Sequence, residues 1–193
     1  MAVSVMQALW RRRASDNRSM RRLLLPLAAV SVFGLGACSP ALDWREFQPE
    51  GSGIVATFPC KPDRHVRTIK LAVQTVRMEM LACGADDAQF ALSFLDLDDP
   101  AKVSTALAEL QTLAAGNLGA SRPESQPATV PGMTPNPQAA KLRLEGRQPD
   151  GTALQEEAVF FAKGLRVYQA TVLGQRLRPG AAETFFAGLR LPA

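Results

Sequence analysis

The sequence predicts an α+β fold: an antiparallel β-sheet of about six strands with one long and one short helix packed on it, preceded by a cleaved signal segment. Three observations carry that prediction. Short β-rich runs with period-two alternation, bounded by Gly- and Asp-containing turns, stand on both sides of one stretch with three- and four-residue apolar spacing. That stretch opens on Asp99-Pro100 and closes on glycine, as a capped helix does. The strand runs are clustered and do not alternate one by one with helices, which favours antiparallel pairing over βαβ units.

In chain order, Glu50-Gly51-Ser52-Gly53 forms a turn ahead of Ile54 to Phe58, a β-rich run stopped by Pro59 and Pro62. From Val66 the runs VRTIKL and QTVRMEMLAC continue the signal. Val76, Met78, Met80 and Ala82 alternate with Arg77, Glu79, Leu81 and Cys83, so one face is expected buried and the other half wet. Gly84-Ala85-Asp86-Asp87 turns the chain into AQFALSFLDL, whose Phe90, Leu92 and Phe94 share a face; these strands can form a meander. At Asp99 the side chain can accept an orphan N–H, and Pro100 has none to leave unpaired. Val103, Ala106, Leu107, Leu110 and Leu113 then follow at helical spacing, with Gly116 or Gly119 as the stop.

Residues 120–138 carry five prolines at nearly regular intervals and read as a surface connection with weak order, not an element. Three further strands follow: AAKLRLEGRQ, TALQEEAVFFA and LRVYQATVLG. They are joined by turns at Pro149-Asp150-Gly151 and Lys163-Gly164. A short helix from about Pro179 offers Ala182, Phe185, Phe186 and Leu189 to the core. Trp44 and Tyr168 also read as core residues.

The 193 residues suffice for one domain and a processing segment. The net charge of +4 belongs to the leader, which holds six arginines and one acid before Cys38. From Ser39 onward 16 basic residues stand against 17 acidic ones, a balance of −1, and this leaves no footprint for a nucleic-acid partner. Arg21-Arg22, the apolar run from Leu23 to Gly34 and the small residues after it give the order of a secretory signal, too short to span a bilayer. Met20 already heads a complete signal of ordinary length, so translation can start at Met1 or at Met20.

Leu35-Gly36-Ala37-Cys38 resembles the bacterial lipobox. The resemblance implies that Leu35, Gly36 and Ala37 are read by the processing enzymes and that Cys38 is lipidated and becomes the first residue of the mature chain. By that reading residues 1–37 are leader, 38–43 a lipidated tether and 44–193 a single domain. The membrane is then a partner through the lipid anchor, and the protein lies in the cell envelope facing the periplasm. Ser39 after the cysteine, by resemblance to enteric lipoproteins, favours the outer membrane over the inner.

The mature chain also weakly resembles the PsbP-like fold, an antiparallel sheet with helices packed on it, seen in small bacterial lipoproteins as well. The residues that carry the likeness are GIVATFPCKP, Gly53 to Pro62, and GLRVYQATV, Gly164 to Val172, with Phe185-Phe186 and Leu189-Arg190-Leu191. Its motifs are structural.

With Cys38 taken by lipid, Cys60 and Cys83 are the two cysteines left, and in an oxidising periplasm they are expected to pair. No P-loop, dinucleotide-binding glycine pattern, C-x-x-C or H-E-x-x-H motif calls for a cofactor or a metal. The single histidine, His65, lies in a polar stretch, and no Gly-x-Ser-x-Gly elbow presents a serine to it. The densest acidic cluster, Asp96, Asp98 and Asp99, fits helix capping better than cation binding. Glu156 and Glu157 point to opposite faces of a strand and make no carboxylate pair for acid/base work. The expected function is therefore a non-enzymatic, periplasm-facing binding or assembly module with envelope proteins as partners; no catalytic or metal residue is assigned and the sequence names no small-molecule ligand. The alternative is an envelope hydrolase without a recognisable motif, using Asp96, Asp98 or His65.

Overall fold

A computed structural model of the chain describes residues 42–72, 74–120, 123–147 and 150–192. The predicted leader, the Leu35 to Ala37 motif and Cys38 lie outside the described residues. The fold is α+β, as the clustering of strand runs requires. Strands β1 (Arg45–Phe47) and β2 (Ala56–Phe58) pair as a separate two-stranded sheet. The main sheet has seven antiparallel strands in the order β3-β4-β5-β9-β8-β7-β6. They are β3 (Asp63–Leu71), β4 (Gln74–Ala85), β5 (Ala88–Asp96), β6 (Glu124–Pro127), β7 (Ala140–Arg147), β8 (Ala153–Lys163) and β9 (Arg166–Gly174). A 3₁₀ turn, Pro100–Lys102, leads into helix α1 (Val103–Leu118), and helix α2 (Ala181–Ala187) closes the domain.

Local chemistry sets most boundaries. Asp99 accepts the Ala101 N–H at 2.8 Å, capping the 3₁₀ turn that Pro100 begins. Gly119 ends α1 in the left-handed conformation, φ 61°, so of the two predicted stops it is the second that acts. The β4–β5 hairpin turns on Asp86 and Asp87, both at positive φ and flanked by the pair Ala85↔Ala88, the pattern of a two-residue type I′ turn.

The first sheet face collects Leu81, Cys83, Phe90, Leu92, Phe161 and Tyr168 and is covered by Ile54, Ala56 and Phe58 together with Ala182, Phe185 and Leu189. Phe185 meets Phe58 at 5.1 Å and Phe90 at 5.6 Å between ring centroids, edge to face, as aromatic quadrupoles prefer. The second face packs under α1, whose buried stripe is Val103, Ala106, Leu107, Leu110, Ala114 and Leu118. Glycine at position 146 lets α1 approach β7, because a Cβ there would collide with the Leu118 carbonyl oxygen.

Several expectations are corrected by the structure. Of the stretch 120–138, residues 123–138 are an ordered strap, not a weakly ordered loop. Their Glu124–Pro127 forms β6, Val130 is buried, the Pro131 carbonyl accepts the Leu191 N–H at 2.8 Å, and Thr134 donates to the Ala162 carbonyl at 2.8 Å. Prolines lack a donor but keep their carbonyls, and here the carbonyl is what the partner uses. Ile54 to Phe58 is strand only from Ala56 and pairs with β1 outside the main sheet, although Val55 bridges to Arg190. In β4 the second half, Leu81 to Cys83, is buried on both faces because the sheet is covered on both sides there, and only the first half alternates with solvent. Leu113 is half-buried; Ala114 and Leu118 complete the α1 stripe in its place. Trp44, read as core, is half-buried and edge-on to Phe90 at 5.7 Å, and Phe186 is half-buried too, while Tyr168 and Phe185 are fully enclosed.

Candidate functional site

Cys60 and Cys83 form a disulfide, with Cα atoms 6.0 Å apart. It ties the β2–β3 connection to β4 and so holds the β1–β2 segment against the first face of the sheet. The adjoining turn is held by side chains from elsewhere in the chain. Tyr168 Oη donates to the Ser52 carbonyl at 2.8 Å, and Arg166 and Arg64 donate to the carbonyls of Gly51 and Glu50.

The acidic cluster does not converge on a ligand position. Asp96 takes a two-pronged pair from Arg166, both contacts at 2.6 Å, whose guanidinium also lies over the Phe94 ring. Asp98 pairs with Lys102 at 2.9 Å, which pulls its carboxyl below the ordinary range. Asp99 caps the helix entry. Among the described residues no group of three His, Cys, Asp or Glu is placed to hold a metal ion. His65 stands on β3 opposite Met80, on the α1 side of the sheet, whereas Asp96 shares the first face with Phe94 and Tyr168. The residues considered for hydrolysis are therefore on opposite sides of the sheet.

Glu156 and Glu157 do point to opposite faces. Glu157 pairs with Lys141 at 2.8 Å on the first face. Glu156 is 6% exposed on the α1 side, in one cross-strand row with Leu144, Leu173 and Gln89, and burial pushes its carboxyl up to about 8. Burial favours its neutral form, since no charge partner among the described residues offsets the lost hydration.

A polar hollow lies where β6, β7 and β8 meet α2. A cleft of about 100 Å³ is lined by Glu124, Gln126, Lys141, Arg143, Glu157 and Glu183. Lys141 is fixed from two sides, by Glu157 and by the Phe186 ring 5.3 Å away, while Arg143 is exposed at the cleft wall between Glu124 and Glu157 in the strand register. Ions of both signs in a small hollow suit recognition of a compact polar group; no serine, cysteine or histidine nucleophile lines it. None of these four residues, Glu124, Lys141, Arg143 and Glu183, was singled out in the sequence. Lys141 and Arg143 alternate with buried Leu142 and Leu144, which was a legible signal; Glu124 and Glu183 arrive only through tertiary pairing.

No helix among the described residues is long and apolar enough to cross a membrane. No protein-family model matches the chain, and no curated protein matches it.

Proposed function

We propose that the chain is a lipid-anchored cell-envelope protein whose domain faces the periplasm and acts by binding or assembly. The observation that carries the reading is the order Arg21-Arg22, apolar run, Leu35-Gly36-Ala37-Cys38. The Cys60–Cys83 disulfide supports it, because such bonds persist in oxidising compartments. The fold is already pinned at Asp43, whose N–H meets the Pro59 carbonyl at 3.0 Å, so five residues after Cys38 reach at most about 18 Å. The domain then works close to the bilayer surface. Two or three acyl chains, at about 0.8 kcal/mol per buried CH₂, give a firm anchor. Binding is favoured over hydrolysis because Asp96, Asp98 and Asp99 are each engaged in holding the fold and His65 lies across the sheet from Asp96.

The test is Cys38→Ser. Palmitate labelling and membrane fractionation of the protein should both be lost; unchanged labelling would overturn the anchor. For the binding part, affinity capture of the lipidated protein from solubilised envelopes should recover the same envelope protein repeatedly, and repeated recovery of nothing would overturn it.

A further inference from the structure

The two edges of the main sheet differ in what they leave open. The β6 edge is four residues long and ends in Pro127, a short, proline-ended edge of the kind that resists further pairing. The β3 edge runs for nine residues, pairs with β4 residue for residue from Asp63↔Ala82 to Leu71↔Gln74, and has no bulge or proline. In an antiparallel ladder every second residue of an edge strand turns its N–H and C=O outward. Among the described residues no strand lies beyond β3 and no backbone hydrogen bond is made by its outer side.

Charge is the feature that guards this edge, and its balance is positive. Across β3 and β4 four cations, Arg64, Arg67, Lys70 and Arg77, stand against two carboxylates, Asp63 and Glu79. Glu79 is shared by Arg64 and Arg77, which together hold its carboxyl below the ordinary range against the effect of its burial. Arg67 and Lys70 have no acid partner among the described residues, and the period of two sends them to opposite faces. Between them and Arg64 stands Val66, 47% exposed, one of two large apolar side chains left open to water among the described residues.

We propose that the outer edge of β3 docks an extended acidic segment of a partner protein, which joins the sheet as a further strand. The assignment rests on the binding-module reading and names its surface and the chemistry of its partner. The ladder groups require an extended backbone, the cations require acids on both faces of that strand, and Val66 requires an apolar residue between them. A second copy of this chain fits less well over the whole strand: antiparallel self-pairing along all nine residues, centred on Arg67, sets Arg67 against itself and Arg64 against Lys70 twice, and like charges directly opposite are destabilising. A lipid surface would answer the cations but leave the ladder groups unpaired.

The probe is the peptide Thr-Glu-Val-Thr-Glu-Val-Thr-Glu, which in antiparallel register sets Glu opposite Lys70, Arg67 and Arg64 and Val opposite Val66 and Ile69. Its binding to the full-length protein in neutral detergent is followed by fluorescence anisotropy. We expect saturable binding below about 1 mM that weakens about tenfold or more when alternate peptide nitrogens are methylated. The doubly substituted R67E/K70E protein, which changes only exposed side chains, should lose about tenfold for this peptide and gain affinity for its Lys-for-Glu counterpart. Equal binding of the methylated peptide would reduce the effect to charge attraction and overturn the proposal, as would an unchanged R67E/K70E protein or no binding at all. Competition by micelles of the same detergent doped with anionic lipid, and not by those doped with neutral lipid, would assign the cations to a membrane surface and overturn it as well. Should the peptide fail while Cys38→Ser still releases the protein and envelope capture still yields a partner, the edge assignment falls and the anchored-module reading stands.

Discussion

One face of the main sheet is covered by chain drawn from both ends of the domain, Ile54 to Phe58 and α2, whereas the other is covered by α1, a helix whose start and stop are written in its own sequence. The first cover is assembled from segments more than a hundred residues apart and is fastened by aromatic edge-to-face contacts, a disulfide and arginine-to-carbonyl hydrogen bonds. The second relies on an aliphatic stripe and encloses an uncompensated acid, Glu156. A cover made of distant pieces needs specific fasteners because the chain entropy of bringing them together is large; a contiguous helix needs fewer.

The contrast is open to four measurements, in order of expected size. Phe185→Ala, which empties the junction of Phe58, Phe90 and α2, should cost about 3–5 kcal/mol in chemical denaturation, more than Leu107→Ala under α1. A loss from Leu107→Ala as large or larger would break the contrast.

On the second face the acid should govern the pH dependence. Glu156 is raised from its ordinary 4.5 to about 8, so the unfolded chain releases this proton more readily than the folded one. Its contribution to stability is whole below about pH 4.5 and is lost as the pH rises to and through about 8. At about 1.4 kcal/mol per pKa unit, Glu156→Gln should exceed the parent by about 4 kcal/mol at pH 8 and match it near pH 4. A gain that is the same at both values would remove the acid as its source.

Removing the staple of the first face, with Cys60→Ala and Cys83→Ala together, should cost about 3 kcal/mol for a 23-residue separation. Denaturation midpoints under oxidising conditions would show it, and an unchanged midpoint would mean the aromatic contacts suffice. Least costly is Asp99→Ala, about 1 kcal/mol through the lost cap, read in the same way. A loss above that of the disulfide would mean that α1 depends on its cap more than on its apolar stripe.

What was legible in the sequence follows the range of the interactions. The Asp99-Pro100 entry and the Asp86-Asp87 hairpin involve neighbours in the chain, so residue chemistry alone places them, and it narrows the α1 stop to Gly116 or Gly119, of which the structure uses Gly119. The Cys60–Cys83 pair was legible by counting, once Cys38 was set aside. Strand β6 was not, because Glu-Ser-Gln-Pro carries no apolar alternation and becomes a strand only by lying along β7. For the same reason the cleft lined by Glu124, Lys141, Arg143 and Glu183 was missed: its residues come from three elements that the sequence sets far apart. The burial of Glu156 was missed as well, since the pattern EEAVFF shows alternation but not that β8 would be covered on both sides.

By itself, then, the sequence determined the α+β class, the start of α1 and most hairpins, all properties of contiguous residues and their local propensities. The tertiary structure alone decided which strands stand at the sheet edges, which acids are paired and which is buried, and that β3 remains open with Arg67 and Lys70 beside it. Those are matters of long-range pairing, where the outcome depends on what the rest of the chain brings alongside and not on the residues themselves.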